Sequence, residues 1–289
     1  MAEPFPICYL NGRYLPLEEA HISPLDRGFL FGDGAYEVMP VYAGRPFRLE
    51  AHCARLTRSL GELRMSDPLP RQAWREIFAA LIARNGGEQY LYWQVTRGAE
   101  HGRNHAPLPE IPRTVFAFCA PLPEVSHAVL ADGLACVTAG DTRWARCDIK
   151  STALLANVLL RQLAVDAGAA ETILVREGRL TDASASAVHV VIGGELRTPP
   201  NSRDILPSTT RTVVEELAAR AGVPWRAVAV SESELRGAQE VWLSAATREV
   251  QPVTRLDGRP VGDGRPGPLW RRVYDEFQRW KGELKDQPW

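Results

Sequence analysis

The chain has 289 residues, a formal net charge of −1, 45% hydrophobic and 24% charged residues. That length suits one large or two medium domains, each able to bury a core, and the composition is that of a soluble globular protein. A charge so near zero argues against a nucleic-acid or anionic-membrane surface. No apolar run approaches the ~20 residues of a membrane span. The start, Met1-Ala2-Glu3-Pro4-Phe5-Pro6, lacks a basic segment followed by an apolar core, so no signal peptide is expected. Cys8, Cys53, Cys119, Cys136 and Cys147 are odd in number and irregularly spaced. They form neither a zinc pattern nor a disulfide framework; no metal site is expected, and a reducing cytoplasm is the expected compartment.

In chain order, Ile7 to Leu15 reads as a hairpin around Asn11-Gly12. The stretch Asp26 to Glu37 carries Gly28, Gly32 and Gly34, which suggests tight turns, and Tyr36 to Tyr42 reads as a strand. Glu50 to Leu63 is expected to be helical, with Leu56, Leu60 and Leu63 on one face and Arg55 and Arg58 off that stripe as solvated charges. Pro70 to Arg84 is a stronger amphipathic helix, stopped by Gly86. Leu91 to Thr96 and Thr114 to Cys119 read as strands. The polar, basic loop between them, Arg97 to Pro107, is long for a hairpin and so a functional candidate.

Pro121-Leu122-Pro123-Glu124 marks the domain joint. The expected division is an N-terminal α/β domain over 1–120, a linker over 121–132 and a C-terminal domain over 133–289. In the latter, Leu134 to Ala139 and Trp144 to Ile149 read as strands, followed by an apolar helix from Ser151 to Ala167. Thr172 to Val175 and Ala187 to Ile192 are strands, with the small-residue segment Leu180 to Ser186 between them. Asp204 to Arg211 leads into a helix with Val213, Val214, Leu217 and Ala221 on its face. Glu240 to Ser244 is a strand, and Leu269 to Leu284 closes the chain as a helix.

Lys150 is the residue that organises this reading. It stands between Ile149 and the Ala153-Leu154-Leu155 run, and it is one of few lysines in a chain that takes most of its positive charge from arginine. A partly apolar setting lowers a lysine's pKa and frees its amine to act as nucleophile and base. By itself it reads more readily as a lysine snorkelling from a helix start. Its companions are a carboxylate in the small-residue segment, a Ser/Thr-rich helix start at Ser208-Thr209-Thr210, and basic residues near a loop. That is the set pyridoxal 5'-phosphate needs: an amine for a Schiff base, a carboxylate for the pyridinium nitrogen, and a helix N-terminus with an arginine for the phosphate. No P-loop and no H-E-x-x-H competes with it.

The residues also carry a resemblance. Asp26-Arg27-Gly28, Phe31 to Glu37, His52 to Leu56, Arg146 to Lys150 and Leu180 to Ser186, in that order, resemble the fold-type IV pyridoxal-phosphate transaminases, and the match runs on to Glu249 to Val253. Arg103-Asn104-His105 is similar to the R-x-H loop of the D-amino acid transaminase branch. The resemblance implies an α+β fold of two domains, the larger with a β-barrel-like core, and a homodimer in which the Arg103–His105 loop serves the partner's site. It implies Lys150 as Schiff-base lysine and proton shuttle, with Arg55, Thr209 and Thr210 on the phosphate, Leu206 against the ring and Asp182 at its nitrogen. Tyr36, Arg103 and His105 would receive the substrate carboxylate, a role that suits a forked guanidinium.

Two departures stand out. Asp182 takes the place of the family's usual glutamate, one methylene shorter. Ala246 stands where a threonine commonly offers its hydroxyl, and Thr247 would point elsewhere on a strand. The implied reaction moves the amino group of a D-amino acid, D-alanine or D-glutamate, to a 2-oxo acid such as 2-oxoglutarate. Branched-chain L-amino acid transaminase, (R)-amine transaminase and 4-amino-4-deoxychorismate lyase share the fold. Leu155 argues against the first, which usually has a tyrosine there, and the R-x-H loop against the lyase. A non-catalytic pyridoxal-phosphate-binding protein is a fifth, different class.

Overall fold

In a computed structural model, which describes residues 3–86 and 88–284, the chain divides by its contacts into two units. The first unit joins the residues up to Pro123 with Ile149–Leu154; the second holds Glu124–Asp148 and Leu155–Glu283. The fold is α+β.

The first unit opens with β1 (Ile7–Leu10) and β2 (Arg13–Pro16), the hairpin expected at Asn11-Gly12. A short helix α1 (Arg27–Phe31) follows inside the glycine-rich stretch, where only turns were expected. Asp26 caps it by accepting from the Gly28 amide at 2.8 Å. Then come β3 (Gly34–Tyr42), β4 (Arg45–Pro46), α2 (Leu49–Glu62), α3 (Arg71–Asn85), β5 (Gln89–Thr96) and β6 (Thr114–Pro121). Six antiparallel strands form one sheet in the order β2-β1-β6-β5-β3-β4.

Strand alternation sorts the two faces of this sheet. Ala35, Met39 and Val41 of β3 and Leu91, Trp93 and Val95 of β5 join Leu56 and Leu60 of α2 and Trp74, Phe78 and Leu81 of α3 in one core. Phe78 lies 4.7 Å from Trp93, centroid to centroid. The intervening residues Tyr36, Tyr92 and Phe118 make a row of half-buried rings, 5.6 and 5.1 Å apart along it. Arg55 is a correction to the sequence reading. It is buried with the core face of α2, not solvated beside it.

The second unit begins with α4 (His127–Asp132), inside the stretch read as linker, and β7 (Leu134–Gly140). The expected strand from Trp144 to Ile149 is a series of turns, and the expected helix at Ser151 begins four residues later, as α5 (Leu155–Asp166). Next are β8 (Glu171–Arg176), β9 (Arg179–Ala183), β10 (Ala187–Ile192), β11 (Glu195–Thr198), α6 (Thr209–Arg220), β12 (Trp225–Ala227), α7 (Glu232–Arg236), β13 (Glu240–Ala245), β14 (Glu249–Leu256), β15 (Arg259–Pro260) and α8 (Pro268–Leu284).

The nine strands form a curled, mixed sheet in the order β12-β11-β10-β13-β14-β7-β8-β9, with β15 on β14. Leu134, Ile173, Leu180, Val188, Val190, Val241, Leu243 and Val253 form its core. Asp182 lies on β9, a strand missed because its Thr181-Asp182-Ala183 reads as polar and small. Ala246 and Thr247 sit in the turn joining β13 to β14, so strand alternation does not govern Thr247. On α6 the core positions are Val213, Val214, Leu217 and Ala218; Ala221 is the half-buried C-cap. Among the described residues no helix is long and apolar enough to cross a membrane, and no group of three metal-ligating side chains occurs. Separate domains over 1–120 and 133–289 are a proposal; the contacts add that Lys150, assigned in sequence to the C-terminal domain, belongs with the first unit.

Candidate active site

Lys150 is placed by its backbone. Its carbonyl accepts from the Tyr36 amide at 3.0 Å and its own amide donates to the Ser59 hydroxyl at 3.2 Å. Ser151 bridges Ala35, and the Thr152 amide donates to the Gly34 carbonyl at 2.9 Å. The segment thus runs beside the start of β3. Two glycines make this approach possible. Gly32 has φ +66°, and a Cβ there would stand 2.9 Å from the Ala153 backbone; a Cβ on Gly34 would stand 3.2 Å from the Thr152 hydroxyl and also meet the Val95 carbonyl of β5 at 2.8 Å. The Lys150 ammonium lies 4.2 Å from the centre of the Tyr36 ring, so these two predicted residues do come together.

Arg55 is committed to Glu37, which the sequence reading did not single out. Its Nε donates to Oε1 and its Nη2 to Oε2, both at 2.7 Å, while the His52 ring meets Oε2 through Nδ1 at 2.8 Å. All three side chains are buried. Burial raises the Glu37 pKa, but the charge and hydrogen bonds of Arg55, with His52, outweigh it and hold the carboxyl down at about 2. Burial pushes His52 the other way, below its ordinary value, so it stays neutral, with the Nδ1 proton toward the carboxylate. The sequence signal was available: a glutamate among the inward positions of a strand demands a buried cation nearby.

This triad carries a stability prediction. Glu37→Gln leaves the Arg55 guanidinium without its buried counter-charge, and unfolding by urea at pH 7 should show a loss of about 3–5 kcal/mol. The sign with pH follows from the lowered pKa. The contribution of ionised Glu37 is fully present above its unfolded value of 4.5 and is lost as pH falls through about 2. The wild type therefore sheds roughly 3 kcal/mol over that interval, and the variant lacks this slope.

Arg103 and His105 lie in the exposed loop between β5 and β6. Both turn to Phe31: the Arg103 guanidinium is 5.0 Å from the ring centre, and the His105 ring meets it edge-on at 5.6 Å.

In the second unit, Asp182 is buried. Burial pushes its carboxyl up to about 6, against the opposing pull of the Arg143 guanidinium and the amides of Ala183 and Leu206. Arg143 donates to Asp182 at 3.3 Å, to both oxygens of Asp141 at 3.0 Å and to the Asp204 carbonyl at 3.0 Å. Thr181 and Arg176 complete the surround of Asp141, at 2.8 and 3.2 Å. Sequence reasoning missed Arg143 and Asp141, although an Asp-x-Arg pair just past a strand end was there to be seen. Leu206 is half-buried and contributes its amide to Asp182. Thr209 and Thr210 open α6, whose cap is Ser208, accepting from the Arg211 amide at 3.1 Å. The first turn of a twelve-residue helix presents N–H groups and the positive end of its dipole.

The donor set fits pyridoxal phosphate. A lysine amine is held against an aromatic ring, one carboxylate is buried with a hydrogen-bonded cation behind it, and a threonine-opened helix start is ready for an anion. Ala246 adds no hydroxyl to this set.

The chain belongs to the class IV aminotransferases, the family that matches residues 34–256. Within it, the chain is similar to the D-alanine aminotransferase of Bacillus licheniformis, at 38% identity over 93% of this chain and 94% of the relative. It is also similar to that of Staphylococcus aureus strain MSSA476, at 36% over 94% and 96%. Among solved structures, the branched-chain amino acid aminotransferase of Escherichia coli has the same fold, with a TM-score of 0.89 and 24% identity over 95% of this chain and 94% of that one. A fold IV transaminase from Curtobacterium pusillum gives a TM-score of 0.82 and 26% identity over 95% and 92%.

Proposed function

We propose that this protein is a pyridoxal-phosphate-dependent D-amino acid transaminase acting on D-alanine or D-glutamate with a 2-oxo acid such as 2-oxoglutarate. The observation that carries the reading is Lys150, fixed by backbone hydrogen bonds with its amine against Tyr36. Likeness to D-alanine aminotransferases over nearly the whole chain supports the substrate class.

When bound, the cofactor supplies an electron sink for the charge that develops at the substrate Cα. Lys150 would hold the cofactor through its amine, and its Nζ would take and carry the proton of the substrate Cα. Asp182 would hold the ring nitrogen as a carboxylate, with Leu206 beside it. Arg55, braced by Glu37, and the α6 residues Thr209 and Thr210 would hold the phosphate. Tyr36, Arg103 and His105 receive the α-carboxylate and orient the substrate.

Half-reaction spectroscopy tests the proposal. D-alanine and D-glutamate should bleach the band of the bound cofactor, and L-leucine should not; bleaching by L-leucine alone would replace this reading with the branched-chain one.

A homodimer is part of the proposal. Leu155, Val158, Leu159 and Leu163 of α5 are 73, 60, 61 and 46% exposed, an apolar face that a second copy would cover. Sedimentation of the holoenzyme at micromolar concentration should give twice the chain mass, and a monomer there would refute it. A cytoplasmic setting is supported by the five cysteines, all free and buried.

A further inference from the structure

The loop that carries Arg103 and His105 has exposed side chains throughout residues 101–110 and no regular secondary structure. Such a segment would not aim two side chains by itself. What lies beneath it is Arg27, buried at the start of α1. Its Nη1 donates to the carbonyl of Asn104 at 2.6 Å and its Nη2 to the carbonyl of His105 at 2.9 Å. These two carbonyls belong to the peptide planes on either side of the His105 Cα. Fixing both planes fixes φ and ψ at His105, and with them the direction of its Cβ.

The same guanidinium is held in place from three other sides. Its Nε donates to Asp33 at 2.9 Å, and Nη1 is also paired with the Glu100 carboxylate. Glu100 accepts from the Leu108 amide at 3.0 Å with its other oxygen, which draws in the far limb of the loop. The Arg27 guanidinium lies 4.7 Å from the centre of the Phe31 ring, the ring that also receives Arg103 at 5.0 Å and the edge of His105. Phe31 therefore relates the buried cation to both exposed side chains.

We propose that Arg27 is a positioning residue: through the Asn104 and His105 carbonyls and the Phe31 ring it sets how Arg103 and His105 meet a carboxylate, and so the enzyme's affinity for amino acids. The inference rests on the proposed role of Arg103 and His105. Arg27 itself touches no substrate. Its planar fork is what the task needs, since one group must reach two successive carbonyls and two carboxylates at once.

The test is Arg27→Lys in the holoenzyme. Lysine keeps the charge opposite Asp33 and Glu100 but cannot fork onto both carbonyls. The saturation constant for D-alanine in the half-reaction should rise roughly 10- to 100-fold, the scale of a misplaced binding group. The limiting rate should stay within about threefold. Arg103→Ala should raise the same constant, and adding Arg27→Lys to Arg103→Ala/His105→Ala should raise it no further than that pair does alone, because Arg27 acts only through those two side chains. An unchanged constant in folded Arg27→Lys, or losses that simply add, would overturn the proposal. Should Arg27→Lys fail to fold, Arg27→Gln is read by the same criteria. Failure of both to fold would mark Arg27 as a structural residue only and reject the idea. If wild type turns over D-alanine but Arg103→Ala leaves its constant unchanged, the fault lies in the underlying carboxylate assignment rather than in Arg27.

Discussion

Lys150→Ala is expected to leave a folded protein that neither retains cofactor after borohydride reduction nor transaminates, with a rate loss of at least roughly a thousandfold. A positioned general base alone contributes about 10²–10⁴, and this lysine is proposed to be both the base and the covalent anchor. The prediction is sharp because placement and chemistry are separable here. The bonds that hold the segment, Tyr36 amide to Lys150 carbonyl and Lys150 amide to Ser59 hydroxyl, are made by the backbone of residue 150 and survive truncation. The side chain contributes mainly its contact with the Tyr36 ring, about 0.5–2 kcal/mol. Mass spectrometry of reduced, digested wild type should find a cofactor-sized adduct on the Lys150 peptide, and thermal unfolding of the two cofactor-free proteins should differ little. An adduct on another lysine would remove the basis for the proposed mechanism.

Asp182→Asn is the second large effect expected. The side chain is buried, and its carboxyl titrates at about 6 because burial outweighs Arg143 and two amides. Asparagine keeps the shape and loses the charge. Turnover should fall roughly a hundredfold or more, the scale of removing one preorganised electrostatic contact. A binding measurement gives an independent readout. As pH rises through about 6, Asp182 ionises and can pair with a cationic ring nitrogen, so wild-type cofactor affinity should rise over that interval. The variant should show no such step.

Stability of the cofactor-free protein has the opposite sign. A carboxyl with a raised folded pKa favours the fold fully below its unfolded value of 3.8 and loses that contribution as pH rises through about 6. The two-unit shift corresponds to about 3 kcal/mol. Cofactor-free wild type should show this loss in urea titrations, and Asp182→Asn should not. An aspartate that weakens the empty protein while tightening cofactor binding is what a functional carboxylate predicts; a merely structural one would change stability alone.

The two departures from the family pattern take a definite form in the structure. Asp182 is one methylene short of glutamate, and it is held by Arg143 and by the amides of Ala183 and Leu206. Arg143 is in turn held by Asp141, so the shorter acid sits in a rigid surround. Ala246 lies with Thr247 in the turn between β13 and β14.

By itself the sequence determined the hairpin at Asn11-Gly12, the amphipathic α3 and α8 and most of the strands, and it put forward Lys150, Asp182 and the threonines of α6 as a candidate set. These are local signals: a turn dipeptide, a 3.6-residue period, residue types in order. Only the tertiary structure decided that Arg55 is buried on Glu37, that Lys150 lies on an extended segment beside β3 rather than at a helix start, and that Arg143 backs Asp182. Each of these joins residues far apart in the chain. A charge looks solvated in sequence until its counter-ion arrives from another element. The Lys150–Leu154 segment looked like the start of α5 because an apolar run follows it. Its backbone hydrogen bonds go instead to Gly34, Tyr36 and Ser59, and those partners outweigh local preference.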